Sequence, residues 1–441
     1  MNNRLLVVLS VRPFLFLWLA EVFSQIAMNM VNFILIFVAF ALTKSNTAVS
    51  GIVLAFTLPA ILFGIFAGVF VDRWNKKHVL FATNVIRVFL LLLLVLLYKN
   101  LFFVYALTFL ISVVTQFFIP AETPMIPLLV KKDLLYAANA LFGLGIYGSV
   151  LVSYALASPL LLLYGKTDVF LLLSFFFLVA GIFILLIKDP YKTLHTDKKT
   201  GQEGLNVTKS VPTGKKELQS TFGGEVKSMF TLIVKTKEIY HSLFLLTLSQ
   251  ILTLVLAVIG PGYASQVLGI RVDALPLFFM TPAALGMVIG AIILINFFHN
   301  NKKSKSATVG VFLLGIAIML LPYGSKVASR TIVHSINMYL PHVLTITILH
   351  IMVFLAFVLG FANALVWVPS NTILQEETSD AFRGKIYGAL NALVGIFSFF
   401  PVIVVGGLAD LFGVSSVLTG IGISLLLIGF FRVGFLNKNS K

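Results

Sequence analysis

The sequence predicts an all-α integral membrane protein of twelve transmembrane helices in two groups of six. Three observations lead there. Of 441 residues, 59% are hydrophobic and 11% charged, and the mean hydropathy is +1.03, more apolar surface than a soluble chain can hide. The apolar residues run in stretches of ~20, the length that crosses ~30 Å of hydrocarbon at ~1.5 Å per residue. One long polar connection, from Asp189 to about Glu238, divides the stretches evenly.

The stretches lie near 14–42, 49–71, 79–98, 101–120, 138–164, 168–188, 243–268, 275–298, 306–322, 345–370, 384–409 and 413–433. The first follows Arg4 and Arg12 but lacks the short apolar region and small-residue cleavage site of a signal peptide, so it is read as an uncleaved helix. An even number of spans puts both termini on one side. Roughly 25 Lys and Arg fall in the termini and even-numbered loops against about six in the others, which orients both ends to the cytoplasm of a cell membrane. The formal charge of +16 has this origin and does not indicate nucleic acid.

Residues 1–188 are thus expected to form an N-terminal six-helix bundle, 189–238 a basic cytoplasmic linker and 239–441 a C-terminal bundle. The middle of the linker is rich in Lys, Gly, Ser and Thr. From Phe222 on, Val226, Met229, Phe230 and Ile233 recur at helical spacing among Lys227, Lys235 and Lys237, the pattern of an amphipathic helix on the membrane surface or of a cover over the bundle. The chain has no cysteine, and its seven histidines are scattered, so no metal site or cofactor is expected. No phosphate-binding Gly-rich loop and no paired nucleophile and base are present, which argues against ATP as the driving force and against an enzyme.

The two halves resemble each other. "FFIPAETPMIPLLV" aligns without a gap on "LVWVPSNTILQEET" when shifted by one residue, so that Pro120 meets Pro369, and nearby Gly165 falls against Gly413. A GxxxG occurs in the second segment, Gly64 and Gly68, and again in the eighth, Gly286 and Gly290. A parallel repeat of six plus six is an architecture of transporters that rock two halves around a central site.

After the second segment comes "GVFVDRWNKKH", with Gly68, Asp72, Arg73, Asn75, Lys76 and Lys77. This resembles the signature loop of the major facilitator superfamily, with Asn75 at a usual glycine, a residue that accepts a left-handed backbone. The resemblance implies that Gly64 and Gly68 let the second helix approach the eleventh, and that Asp72 accepts from the N-terminus of that helix near Arg383 and Gly384, latching the outward-facing state. Glu376 with Arg383 and Gly384 is the expected second-half counterpart. "PAETPMIPLLVKKDLLYAANAL" and "TILQEETSDAFRGKIYGAL" narrow the resemblance to the bacterial branch of macrolide-type drug exporters and the enterobactin exporter, with lysophospholipid transporters more distant. Ala27, Met28 and Ser158 depart from residues common in proton antiporters of that group.

Polar residues inside the spans mark the expected cavity, since a polar stripe facing lipid is costly. The first span carries Glu21, Ser24, Gln25, Asn29 and Asn32 on one face; the fourth carries Ser112, Thr115, Gln116 and Glu122; the seventh and tenth offer Gln250, Asn363 and Trp367. Hydrogen bonding between helices is the alternative role for each. Glu21 and Glu122 are the candidates for proton coupling, and Arg87 is a structural charge that braces the signature loop through Asp72 or partners Glu21. The resulting expectation is a monomeric exporter of lipophilic or amphipathic small molecules driven by a proton gradient. A lipid transporter or a non-transporting sensor or scaffold on the same fold are the alternatives.

Overall fold

The computed structural model describes residues 2–131, 134–188, 233, 236–297, 303–322, 334–335, 337–338, 347–378 and 380–438. Of the apolar face of the expected surface helix from Phe222, only Ile233 is among the described residues, and the side chains of Asp72 and Arg383 lie outside them. Helices of nine residues or more are α1 Asn2–Ser10, α2 Arg12–Thr43, α3 Asn46–Arg73, α4 Lys76–Leu97, α5 Leu101–Glu122, α6 Leu135–Leu186, α7 Lys237–Gly262, α8 Thr281–Phe297, α9 Lys303–Leu320, α10 Ile348–Glu376, α11 Asp380–Phe412 and α12 Val414–Lys438. Among the described residues, eleven helical stretches are long and apolar enough to cross a membrane; one of them, Ala137–Leu186, runs for 50 residues.

Local chemistry sets the helix ends. Lys44 adopts the left-handed conformation (φ 57°) and Ser45 caps α3 by accepting from Ala48 N, so α2 reverses into α3 through only two residues. Asn75 and Asn100 cap α4 and α5 in the same way, each accepting a backbone N–H at 3.0 Å. Asn75 is extended (φ −67°, ψ 112°) rather than left-handed, because it acts as this cap, and α3 continues through Asp72 and Arg73 so that the loop shrinks to Trp74 and Asn75. Gly165 (φ 75°) breaks α6 into two arms, and Gly413 (φ 83°) separates α11 from α12. The two glycines aligned by the internal repeat therefore do the same conformational work, one that a side chain would strain.

Packing differs between the two ends of the molecule. Near the Ser45 end, one apolar cluster joins both halves, with Phe40, Val49 and Ile52 from the first and Val258, Val402 and Ala409 from the second. Near the opposite end each half has its own cluster: Phe14, Leu17, Val71, Leu80 and Phe118 in one, Ile239, Leu243, Leu374, Ile386 and Leu390 in the other. The outer faces carry exposed apolar side chains such as Leu96, Leu163 and Phe431, as a lipid-facing belt requires.

The two GxxxG motifs have different fates. In α8, a Cβ at Gly286 would collide with the backbone of Phe357, and one at Gly290 would stand 2.9 Å from Ala364 Cβ; across the same seam, Gly360 of α10 lies against the backbone of Ala283. These glycines let α8 and α10 touch backbone to backbone. In α3, a Cβ at Gly68 would meet nothing within 4 Å and one at Gly64 only Gln116 Oε1 at 3.8 Å. Gly360→Ala is therefore expected to destabilise the protein by roughly 1–3 kcal/mol through overpacking, and Gly68→Ala to leave it unchanged, as read by thermal melting in detergent.

Candidate functional site

Three charged side chains meet inside the first half. Glu21 of α2 is 0% exposed, Arg87 of α4 1% and Glu122 at the end of α5 6%. Arg87 donates from Nη1 to Ser24 Oγ at 3.0 Å and from Nη2 to Thr115 Oγ1 at 3.1 Å. Its guanidinium lies over Phe118 at 4.5 Å and Phe177 at 5.3 Å, so aromatic faces supply further stabilisation of the cation. Glu21 accepts from Gln25 Nε2 at 2.8 Å through Oε1. Glu21, Glu122 and Arg87 lie close enough to act on one another electrostatically. Glu21 Oε2 and Glu122 Oε1 are buried and receive no donor among the described residues.

The described partners of Arg87 lie on α2 and α5, whereas the side chain of Asp72, the other expected partner, lies outside the described residues. Arg87 sits eleven residues into α4, about 16 Å from its start at 1.5 Å per residue, and points at α2 and α5. Lys77 of the signature segment donates instead to the carbonyls of Leu185 and Ile187 and so caps the end of α6. Arg73 is exposed.

The proposed cavity residues divide. Asn29 donates to Gln25 O at 2.8 Å within its own helix, Asn32 Oδ1 is buried without a partner, and Gln116 donates to Ser112 O. Ser112 is 4% exposed and donates to Phe56 O at 2.6 Å, which makes it a tie between α5 and α3. Asn363 accepts from Ser249 Oγ at 2.6 Å and ties α10 to α7. Gln250 is exposed, and Trp367 packs on the Ile239–Leu374 cluster. Glu376, expected beside Arg383, forms an ion pair with Lys303 of α9, because the end of α10 lies beside the start of α9.

A contact between the halves escaped the sequence reading. Asp410, near the end of α11, accepts five hydrogen bonds from the start of α3: from Ser45 Oγ at 2.6 Å, Asn46 N at 2.8 Å, Asn46 Nδ2 at 2.9 Å, Thr47 N at 2.9 Å and Thr47 Oγ1 at 2.7 Å. A carboxylate satisfies the free N–H groups of a helix start and complements its dipole, here from another part of the chain. Ser50 donates to Val402 O at 2.7 Å one turn further, and Gly406 leaves room for Ser50 and the Asn46 backbone. The signals were present: "SNT" is a helix-start sequence, and Asp410 lies three residues before Gly413, already aligned by the repeat.

Along this antiparallel pair, Ile61 still packs on Gly395, but beyond it Gly68 of α3 and Gly388 of α11 have open space around them. The helices are joined at the Ser45 end and separate toward the Arg73 end, which is where Asp72 and the start of α11 lie. Among the described residues, the expected approach of Gly64 and Gly68 to α11 is not made in this conformation.

Removing one member of the buried charge cluster leaves the others uncompensated. Arg87→Met is expected to cost about 3–5 kcal/mol, and adding Glu21→Gln with Glu122→Gln to recover most of it; melting temperatures of the single and triple variants measure this.

The arrangement matches known membrane proteins throughout. The sequence profile of the Major Facilitator Superfamily matches residues 17–340. An uncharacterised MFS-type transporter, YfiS of Bacillus subtilis (strain 168), is 23% identical over 403 residues, 90% of this chain and 86% of that protein. The fold is similar to that of the nucleoside transporter NupG, at a TM-score of 0.72 and 11% identity over 96% of this chain and 99% of that one. It is also similar to a POT family transporter solved with 5-aminolevulinic acid, at 0.68 and 14% over 98% and 97%. With eleven apolar membrane-length helices, an internal repeat and a profile match over most of its length, the chain belongs to the Major Facilitator Superfamily.

Proposed function

We propose that this protein is a secondary active transporter of twelve spans, both termini cytoplasmic, that exports lipophilic or amphipathic small molecules using an inward proton gradient. Two spans within α6, separated at Gly165, account for the twelfth. The observation that carries the reading is the buried trio of Glu21, Glu122 and Arg87. Two carboxylates and one guanidinium leave one negative charge in an apolar interior; one proton shared between the carboxyls removes it and supplies the missing donor to Glu21 Oε2 and Glu122 Oε1. A group that gains by holding one proton, and that changes partners as the surrounding helices shift, is suited to couple proton entry to conformational change. Each proton crossing inward contributes ~2.3 kcal/mol per 100 mV.

With cytoplasmic termini, the Asp410 junction lies on the outer side and the open stretch of α3 and α11 on the inner side. This supports an inward-facing state, from which the outward-facing state forms by release of Asp410 and closure of Gly64 and Gly68 on α11. Gln25, Asn29, Asn32 and Gln116, beside abundant Phe and Leu, favour amphipathic substrates with few formal charges. The exporter direction and the drug-exporter branch rest on the family resemblance of the sequence.

The decisive assay uses proteoliposomes of known orientation with an imposed proton gradient and a lipophilic cation. The native protein is expected to move the cation with the gradient, and Glu21→Gln and Glu122→Gln to bind it while losing gradient-driven transport. Equal transport by native and variant proteins removes the coupling role; no transport of the cation by any form turns the search to lysophospholipids. The conformational part is checked separately. The chain has no cysteine, so a Ser50→Cys, Val402→Cys double variant is expected to cross-link readily with a short reagent, and Asp410→Ala in that background to reduce the yield several-fold.

A further inference from the structure

The second half contains a polar cavity built by the spans that correspond to those of the Glu21–Arg87–Glu122 trio, nearer the helix ends, and its charge is not balanced. The trio is built by the first, third, fourth and sixth spans. The corresponding spans of the second half, α7, α9, α10 and α12, enclose a cavity of about 520 Å³. Lys237 and His241 from α7, Ser304 from α9, Ser370 from α10 and Arg432 from α12 form its polar wall. By the repeat alignment Ser370 stands where the first half has Ala121, beside Glu122.

Arg432 is half-buried and donates from Nε to Thr308 Oγ1 at 3.3 Å; among the described residues no carboxylate forms an ion pair with it. The carboxylate lining the cavity, Glu238, is exposed at the start of α7. Ser370 is 1% exposed and its Oγ has no hydrogen-bond partner among the described residues, although it lines the opening. In the first half a buried cation faces two carboxyls; in the second a cation, a lysine and an unpartnered hydroxyl face a cavity. Such a set is complementary to an oxyanion.

The position selects the kind of oxyanion. Arg432 lies within two turns of the end of α12 at Lys438, and Lys237 opens α7, so the polar wall stands toward the membrane surface, where headgroups lie. Phe244 and Phe431, both exposed, and Ile428 continue the cavity along the lipid-facing side. We infer that this cavity binds an anionic phospholipid, its phosphate held by Arg432, Lys237 and Ser370 and an acyl chain laid along Phe244, Ile428 and Phe431. The leaflet, inner, follows from the orientation proposed above; the site itself does not depend on transport.

The test is the melting temperature of the full chain in a nonionic detergent as phosphatidylglycerol, phosphatidylcholine or inorganic phosphate is added. Phosphatidylglycerol is expected to raise it saturably and phosphatidylcholine not to. Arg432→Gln should weaken the apparent affinity about tenfold or more, the loss of a charge-assisted phosphate contact, and Ser370→Ala about threefold. Lys305→Gln, at an exposed lysine outside the cavity, should leave the response unchanged. Equal response to phosphatidylcholine, an unchanged response in Ser370→Ala and Arg432→Gln, or an equal loss in Lys305→Gln overturns the site. Saturation by inorganic phosphate to the same extent overturns the lipid and assigns the cavity to the free anion. Should Arg432→Gln fail to fold, Ser370→Ala carries the comparison, since it removes no existing bond.

Discussion

A polar group in hydrocarbon has no water to turn to, so each must find its partner within the protein. That constraint organises this structure at every scale. It makes the spans helical, because a helix satisfies its own backbone. It sends the hydroxyls of Thr108, Thr115, Ser149 and Ser174 back to carbonyls four residues earlier. It also gathers Glu21, Arg87 and Glu122 into one place, since none of the three is tolerable there alone. The same demand makes Asp410 useful: the first N–H groups of α3 have no partner in their own helix, and a carboxylate from the other half meets them.

The two halves use their symmetry unequally. Gly165 and Gly413 break the chain at matching points with matching geometry, and Pro120 and Pro369 lie inside matching helices. The glycine pairs do not match: Gly286 and Gly290 are consumed in the seam between α8 and α10, while Gly64 and Gly68 stand open. The seam fixes α8 to α10 within one half. The open pair meets no close neighbour among the described residues, so α3 carries small residues that no contact uses in this conformation.

The membrane class, the segment positions and the internal repeat were legible because hydrophobic run length and glycine placement are local signals. Glu21, Arg87 and Glu122 were each visible as charges inside apolar runs. Their meeting was not, because it depends on the rotation of three helices about their axes. Ser112 and Asn363 read as cavity residues by helical periodicity, yet they bond to neighbouring helices; a stripe of polarity has the same period whether it faces water or another helix. The choice between Asp72 and Glu21 for Arg87 stayed open for a related reason, since sequence proximity to the signature loop says nothing about which way α4 turns its cation. Asp410 was missed because a single acid at a helix end is ordinary unless its partner helix is known.

The Asp410 junction sits at one extreme of a long rod. α3 has 28 residues, about 42 Å at 1.5 Å per residue, and its far tip is separated from α11. A joint at one end of such a rod acts as a fulcrum: tilting α3 by about 10° moves the opposite tip by ~7 Å over that length. Bonds at the joint change by a fraction of that distance. The five hydrogen bonds to Asp410 are therefore gathered at the end of the rod where a tilt is felt least, and a small, short-ranged clasp there sets the position of a distant tip.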